Sequence, residues 1–200
     1  MSRTPSRGQL ELQYLRNKKS AFEISRVFNC SEHKINYWIR KYGIQKRSIS
    51  DAMYARHNPK GDPFKVKEAK TLKDAKLHGL GLGLYWGEGN KKNKNAVRLG
   101  NTNPRLIKKF IEFLVRVLGV DVKRLKFGLQ IFSDMSESNI LKYWLGELSK
   151  FKISRRQFFK VTVTPSRSIG NYREKSKYGV LTVNFCNTKL KKILDNMLPL

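Results

Sequence analysis

The sequence predicts an α+β protein in two parts: a small all-helical unit, then a larger unit whose helices alternate with the strands of a mostly antiparallel sheet. Three observations predict it. Up to Tyr42 the apolar residues recur at helical spacing between capping residues. After Lys70 helical stretches alternate with stretches of period two. Between them lies the turn-rich run His57-Asn58-Pro59-Lys60-Gly61-Asp62-Pro63, whose prolines and glycine stop any helix. The expected organisation is a domain over 1–43, a basic linker over 44–69 with room for a short helix at 48–56, and a domain over 70–200.

In the first unit a polar arm (1–8) precedes three helical patterns. Ser20 and Glu23 have the spacing of a capping box. The helix they open places Ile24, Val27 and Phe28 on one face. Asn29-Cys30 reads as a tight turn, since Asn tolerates the left-handed conformation. Ser31 caps a further helix with Ile35, Trp38 and Ile39 inside. This pattern resembles the helix-turn-helix: Ile24, Phe28, Cys30, Ile35 and Trp38 fall on its buried sites, Ser25 on its small site and Asn29 on its usual glycine. The resemblance makes residues 32–42 the reading helix, with His33, Lys34, Asn36, Tyr37, Arg40 and Lys41 outward. Asn and Arg there suit adenine and guanine edges in the major groove. The plainer alternative is a helical hairpin with a solvated charged face. Cys30 and His33 form a C-x-x-H step, but zinc needs four ligands and no second pair lies nearby, so Cys30 reads as a core residue.

In the second unit helices are expected over 71–86, 104–118, 137–150 and 189–197. Strands are expected over 96–101, 124–133, 158–164 and 179–187, with a short one near 89–91. Alternation assigns two faces. Val97, Leu99, Leu125, Phe127, Leu129, Ile131, Phe159, Val161, Val163, Leu181, Val183 and Phe185 point to a core. Arg98, Arg124, Lys126, Gln130, Lys160, Thr162, Thr164, Thr182 and Asn184 point away. The outward set contains no Asp or Glu, which a merely solvated sheet face would mix in. It therefore reads as a DNA-contacting face, extended by the loop 166–177 with Arg167, Arg173, Lys175 and Lys177.

Charge supports a polyanionic partner. The 42 Lys plus Arg against 15 Asp plus Glu give +27 over 200 residues, and so large an excess is self-repelling unless a polyanion neutralises it. The excess is shared, +10 over residues 1–70 and +17 over the remainder. A ribosomal or anionic-membrane protein is the bland alternative. The 40% hydrophobic content allows a core. Two cysteines fit a reducing compartment rather than a disulfide framework. The polar start and the lack of a long apolar run imply no leader and no membrane partner. A cytoplasmic, nucleoid-associated protein is expected.

The densest signal is Leu77-His78-Gly79-Leu80-Gly81-Leu82-Gly83-Leu84-Tyr85-Trp86-Gly87-Glu88-Gly89. Gly81-x-Gly83 also occurs in dinucleotide-binding loops, but that loop leaves a strand and opens a helix, whereas here a helical pattern precedes and a turn follows. In a helix, Gly79, Gly83 and Gly87 stack on one face. Each costs about 1 kcal/mol relative to alanine. Close approach of a second backbone offsets that cost, and the simplest second backbone is the same helix of a second subunit.

Gly81–Gly89 (GLGLYWGEG) resembles the LAGLIDADG motif of homing endonucleases, with Gly83, Leu84, Glu88 and Gly89 at matching places and Gly87 on a small site. Gly81, Leu82 and Trp86 depart from it, Trp86 replacing a frequently acidic position. The resemblance covers residues 71–200, implying an αββαββα-type core with an added helix at 137–150. It also implies that two such helices pair at the centre of a saddle of strands, making a homodimer for a single-motif chain. Glu88 becomes the catalytic, metal-holding acid for Mg²⁺ or Mn²⁺. Asn103, after the strand over 96–101, becomes a second catalytic candidate near the attacking water. The expected function is a sequence-specific homing endonuclease, breaking double-stranded DNA across the minor groove. The alternatives are a non-catalytic DNA-binding transcription regulator on the same scaffold, or an RNA maturase.

Overall fold

The computed structural model describes residues 4–59, 61–166 and 177–199. The chain divides into two compact units, Met1–Asp62 and Pro63–Leu200. The division lies inside the expected linker, but the true connector is shorter. Ile44 belongs to the core of the first unit and Phe64 to that of the second. The amides of Lys65 and Lys67 donate to the carbonyls of Leu118 and Val117 at 3.0 and 2.8 Å, tying that segment to the second unit.

The first unit is all helical: α1 (Arg7–Glu11) running into a π-helical turn (Leu12–Arg16), α2 (Ala21–Val27), α3 (Glu32–Lys41) and α4 (Ile49–His57). The polar arm is shorter than expected, because Ser6 and Gln9 form a capping box that opens α1 within it. The Ser20–Glu23 capping box is present, with the Ser20 amide donating to the Glu23 carboxylate at 2.7 Å. Asn29 takes the left-handed conformation at φ 48°, where its short polar side chain is tolerated. Leu10, Ile24, Ile35 and Ile39 are fully enclosed, while Phe28, Cys30 and Trp38 pack at the edge of this cluster. Val27 corrects the sequence reading. It is 53% exposed, since α2 is only two turns long and Ile24 and Phe28 fill its inner face. The helix near 48–56 forms with Ser48 as cap and buries no residue.

Glu23 yields a prediction. The bonds from the Ser20 amide and hydroxyl hold its carboxyl below the ordinary value of 4.5. A depressed folded-state pKa contributes stability that is complete above the unfolded value and lost as pH falls through the folded one. Glu23→Gln is expected to flatten the acid-side fall in melting temperature below about pH 4.5. An unchanged slope by circular dichroism would show that the cap is not formed in solution.

The second unit is mixed: α5 (Leu72–Glu88), β1 (Val97–Asn101), α6 (Pro104–Arg116), β2 (Lys126–Phe132), α7 (Glu137–Glu147), β3 (Thr162–Thr164), β4 (Val180–Phe185) and α8 (Thr188–Asn196). Its sheet has the order β1-β4-β2-β3, with β4 antiparallel to both neighbours and β3 parallel to β2. Val97, Leu99, Phe127, Leu129, Leu181, Val183 and Phe185 are buried on one face among α5, α6, α7 and α8 residues such as Tyr85, Phe110, Trp144 and Leu190. The short strand near 89–91 reduces to one bridge, Gly89 with Leu99. Arg124 stands in a 3-10 turn ahead of β2.

The stretch over 158–164 needs the largest correction. Phe158 and Val161 are buried, whereas Phe159 and Val163, expected inside, are 48% and 51% exposed. From Phe127 to Gln130 is three steps along β2, but the partners Phe158 and Thr162 are four apart. The extra residue is a β-bulge, which breaks the alternation that strand periodicity assumes. Phe159 is thereby turned outward. Val163 does face inward, opposite Ile131, but on an edge strand that leaves it open. No helix among the described residues is long and apolar enough to cross a membrane.

Candidate functional site

The outer face of the sheet is built in three rows by the strand register. Arg98 pairs with Asn184 and Asn184 with Lys126; Gly100, Thr182 and Gly128 form the next row; Val180, Gln130 and Thr162 the third. The outward positions read from alternation thus come together, apart from Arg124, in its 3-10 turn, and Lys160, which is exposed in the bulged stretch outside any strand; Asn184 is buried within its row, 5% exposed. Gln130 Nε2 donates to Thr164 Oγ1 at 3.0 Å and Lys126 Nζ to the Arg156 carbonyl at 3.4 Å. Arg167, Arg173 and Lys175 lie outside the described residues. No acid stands in these rows.

One acid does overlook them. Glu88 is the last residue of α5, exposed, at the rim of a depression of ≈ 850 Å³ floored by Arg98, Gly100, Gly128, Thr182 and Asn184. Lys91, Lys92 and Phe159 complete its wall. The position of Glu88 follows from how α5 ends. Gly89 bridges Leu99 of β1, the Asn90 amide donates to the Arg98 carbonyl at 2.9 Å, and the Tyr85 hydroxyl donates to the Asn90 carbonyl at 3.3 Å. A Cβ on Gly89 would lie 2.3 Å from the Tyr85 ring, so only glycine lets the chain fold this closely over Tyr85.

Below this turn sits a buried polar group. Lys191, 1% exposed, pairs with Asp195 and lies against Tyr85. Burial alone would lower the pKa of its ammonium, but the bonds to Asp195 and Tyr85 outweigh it and raise the value. Burial likewise pushes the Tyr85 phenol up.

The electrostatics around Glu88 are cationic. A helix C-terminus disfavours an anion. Lys91, whose Nζ donates to the Trp86 carbonyl, and Arg98 offset that here. Arg98 Nε is buried, with no acceptor among the described residues. As a metal ligand Glu88 stands alone: among the described residues no three His, Cys, Asp or Glu gather. One hard carboxylate per chain fits Mg²⁺, which takes one or two carboxylates and completes its shell with water and substrate phosphate.

Asn103 is not part of this arrangement. It caps α6, its side-chain oxygen accepting from the Arg105 amide at 2.9 Å, ahead of Pro104. A polar residue before a helix-opening proline is explained by capping.

Helix α5 presents two faces. Leu77, Gly81 and Tyr85 are buried, with Gly81 against Phe113 and Tyr85 stacked on Phe110 at 6.2 Å. Gly79, Gly83 and Gly87 lie on the exposed side, where an added Cβ would meet nothing within 4 Å. Leu72, Leu80 and Trp86 are exposed beside them. In the first unit α3 keeps His33, Tyr37, Arg40 and Lys41 exposed and Lys34 and Asn36 half-buried. The Asn36 side-chain Nδ2 donates to the Glu32 carbonyl at 3.2 Å, and Lys41 Nζ lies 4.7 Å over the Trp38 ring.

No family model matches the chain, and searches of curated proteins and of solved structures return no match either.

The sequence reading missed Lys91, Lys92, Gly100, Gly128 and Phe159. The two lysines carried a legible signal, a basic pair three and four residues after the acid. The glycines and Phe159 carried none, because strand pairing and the bulge bring them together.

Proposed function

We propose that the protein is a sequence-specific DNA endonuclease of the LAGLIDADG type, acting as a homodimer with Mg²⁺ or Mn²⁺. The observation that carries this reading is the placement of Glu88: the acid that ends the glycine-faced helix overlooks an acid-free, cationic sheet face. Pairing of two such helices through Gly79, Gly83 and Gly87 brings two Glu88 carboxylates beside one duplex. Arg98, Lys126 and Lys160 take phosphates, while Gln130, Thr162, Thr182 and Asn184 offer groups to base edges. In the first unit His33, Lys34, Asn36, Tyr37 and Arg40 on α3 lengthen the recognised sequence as a helix-turn-helix does.

Glu88 from each subunit, with phosphate oxygens of the substrate, would hold the divalent ion. When bound, that ion supplies activation of water and charge stabilisation at the attacking and leaving oxygens. Arg98 contributes positive charge beside the phosphodiester, and the Tyr85–Asn90 and Gly89–Leu99 contacts keep Glu88 at the rim. The parallel β2–β3 pair, and the single full strand between α5 and α6, depart from an αββαββα core.

Incubation with a randomised plasmid library and Mg²⁺ tests the proposal. Linear products whose ends share one sequence are expected. A library left intact in both Mg²⁺ and Mn²⁺, despite tight binding, would instead select a transcription regulator without catalysis. Trp86, in a frequently acidic position of the motif, is the feature favouring that second reading.

A further inference from the structure

We propose that Phe159 is an aromatic wedge that stacks on a base displaced from duplex DNA, which the hollow beside it receives. This rests on the DNA-binding reading and adds a mode of recognition to it, the reading of a deformable base step.

Three observations lead there. The first is that the ring is exposed by construction. The bulge between Phe158 and Thr162 turns Phe159 away from the core, while Phe158 stacks on Phe127 at 5.2 Å and Val161 is buried. The Phe159 amide donates to the Phe127 carbonyl at 2.8 Å, so the backbone that carries the ring is fixed. Bulges are a recurrent means of re-aiming a side chain at a working surface.

The second is the shape of the floor. The central row contributes only one side chain, Thr182, between Gly100 and Gly128. A Cβ on Gly100 would come 2.9 Å from Thr182 Oγ1, and one on Gly128 would lie 3.9 Å from Asn184 Nδ2. The hollow next to the ring therefore has polar atoms at its base, and its central row lacks a side chain at two of its three positions. A flat heterocycle with hydrogen-bonding edges matches such a space, and an aliphatic partner does not.

The third is charge. Lys91, Lys92 and Arg98 share the depression with Phe159, and Lys160 follows it in sequence. An exposed apolar ring amid cations finds both of its complements in nucleic acid, the base face for the ring and the phosphates for the cations.

The test uses the full chain and two 30-mer duplexes (about three helical turns), one fully paired and one with a single mismatch carrying 2-aminopurine. A mismatched step is already partly unstacked, so the wild type is expected to bind it about tenfold more tightly and to quench its fluorescence. Phe159→Ala should abolish both the preference and the quench, while paired-duplex affinity changes less than about twofold, since phosphate contacts supply that binding. Phe159→Tyr, which keeps the ring, should restore both. Equal wild-type affinity for the two duplexes, or a preference that survives Phe159→Ala, overturns the wedge. Tenfold tighter binding to an RNA hairpin with an unpaired base overturns the assignment to DNA. Binding to neither duplex at low salt instead removes the DNA reading on which the proposal stands.

Discussion

Glu88→Gln is expected to reduce double-strand cleavage by about 1000-fold or more, with DNA affinity unchanged or slightly raised. The substitution keeps the shape of the side chain and removes its charge. Among the described residues no ion pair or side-chain hydrogen bond holds Glu88, so the fold has little stake in its carboxylate. A neutral amide is a poor ligand for Mg²⁺, and in the proposed homodimer two copies change together. Loss of the several kcal/mol that a bound ion supplies to the transition state corresponds to at least three powers of ten in rate. Binding should move the other way, because an anion beside phosphates is removed from a cationic face. Single-turnover cleavage and filter binding on a site selected from the library separate the two effects. Cleavage that persists in Glu88→Gln would transfer the chemistry elsewhere and undo the assignment of this acid.

What the sequence makes legible here is what local rules determine. The capping serines and Asn29 act within four residues of themselves, so the turn between α2 and α3 could be read from its own letters. Period-two alternation located the inner faces of β1, β2 and β4 for the same reason. The limits appear where distant parts of the chain decide. The bulge at 158–162 depends on the register against β2, so the inward assignment of Phe159 failed although its neighbour Val161 is buried. Asn103 shows a different limit: a polar residue before Pro104 satisfies a helix terminus, and a family pattern alone cannot separate that role from catalysis. The depression itself, with its glycine floor, arises from pairing β1 and β2 to opposite edges of β4 and has no counterpart in any single stretch of sequence.

The glycines of α5 should separate when each is replaced by alanine, because the structure places them on opposite sides of the helix. At Gly81 the new Cβ would fall 2.1–2.7 Å from Phe113 Cγ, Cδ2 and Cβ. Phe113 is fully buried and lies against Phe110 and His78, with ring centroids 6.1 and 6.2 Å away, so it has no free space into which to retreat. Gly81→Ala is expected to destabilise the second unit by about 2 kcal/mol, the overpacking cost exceeding the gain in helix propensity. A fall in melting temperature of roughly 4–8 °C would register it. Gly83→Ala meets no atom, so in a monomer it should stabilise the helix by about 1 kcal/mol. If a second α5 packs on that face, the same methyl holds the two backbones apart and dimer affinity should drop by about tenfold or more, against the intrinsic stabilisation. Sedimentation equilibrium on Gly83→Ala, beside its melting curve, isolates the two terms. A more stable chain that dimerises as the wild type does would mean that Gly79, Gly83 and Gly87 face something other than their own copy, and the paired Glu88 arrangement would lose its basis.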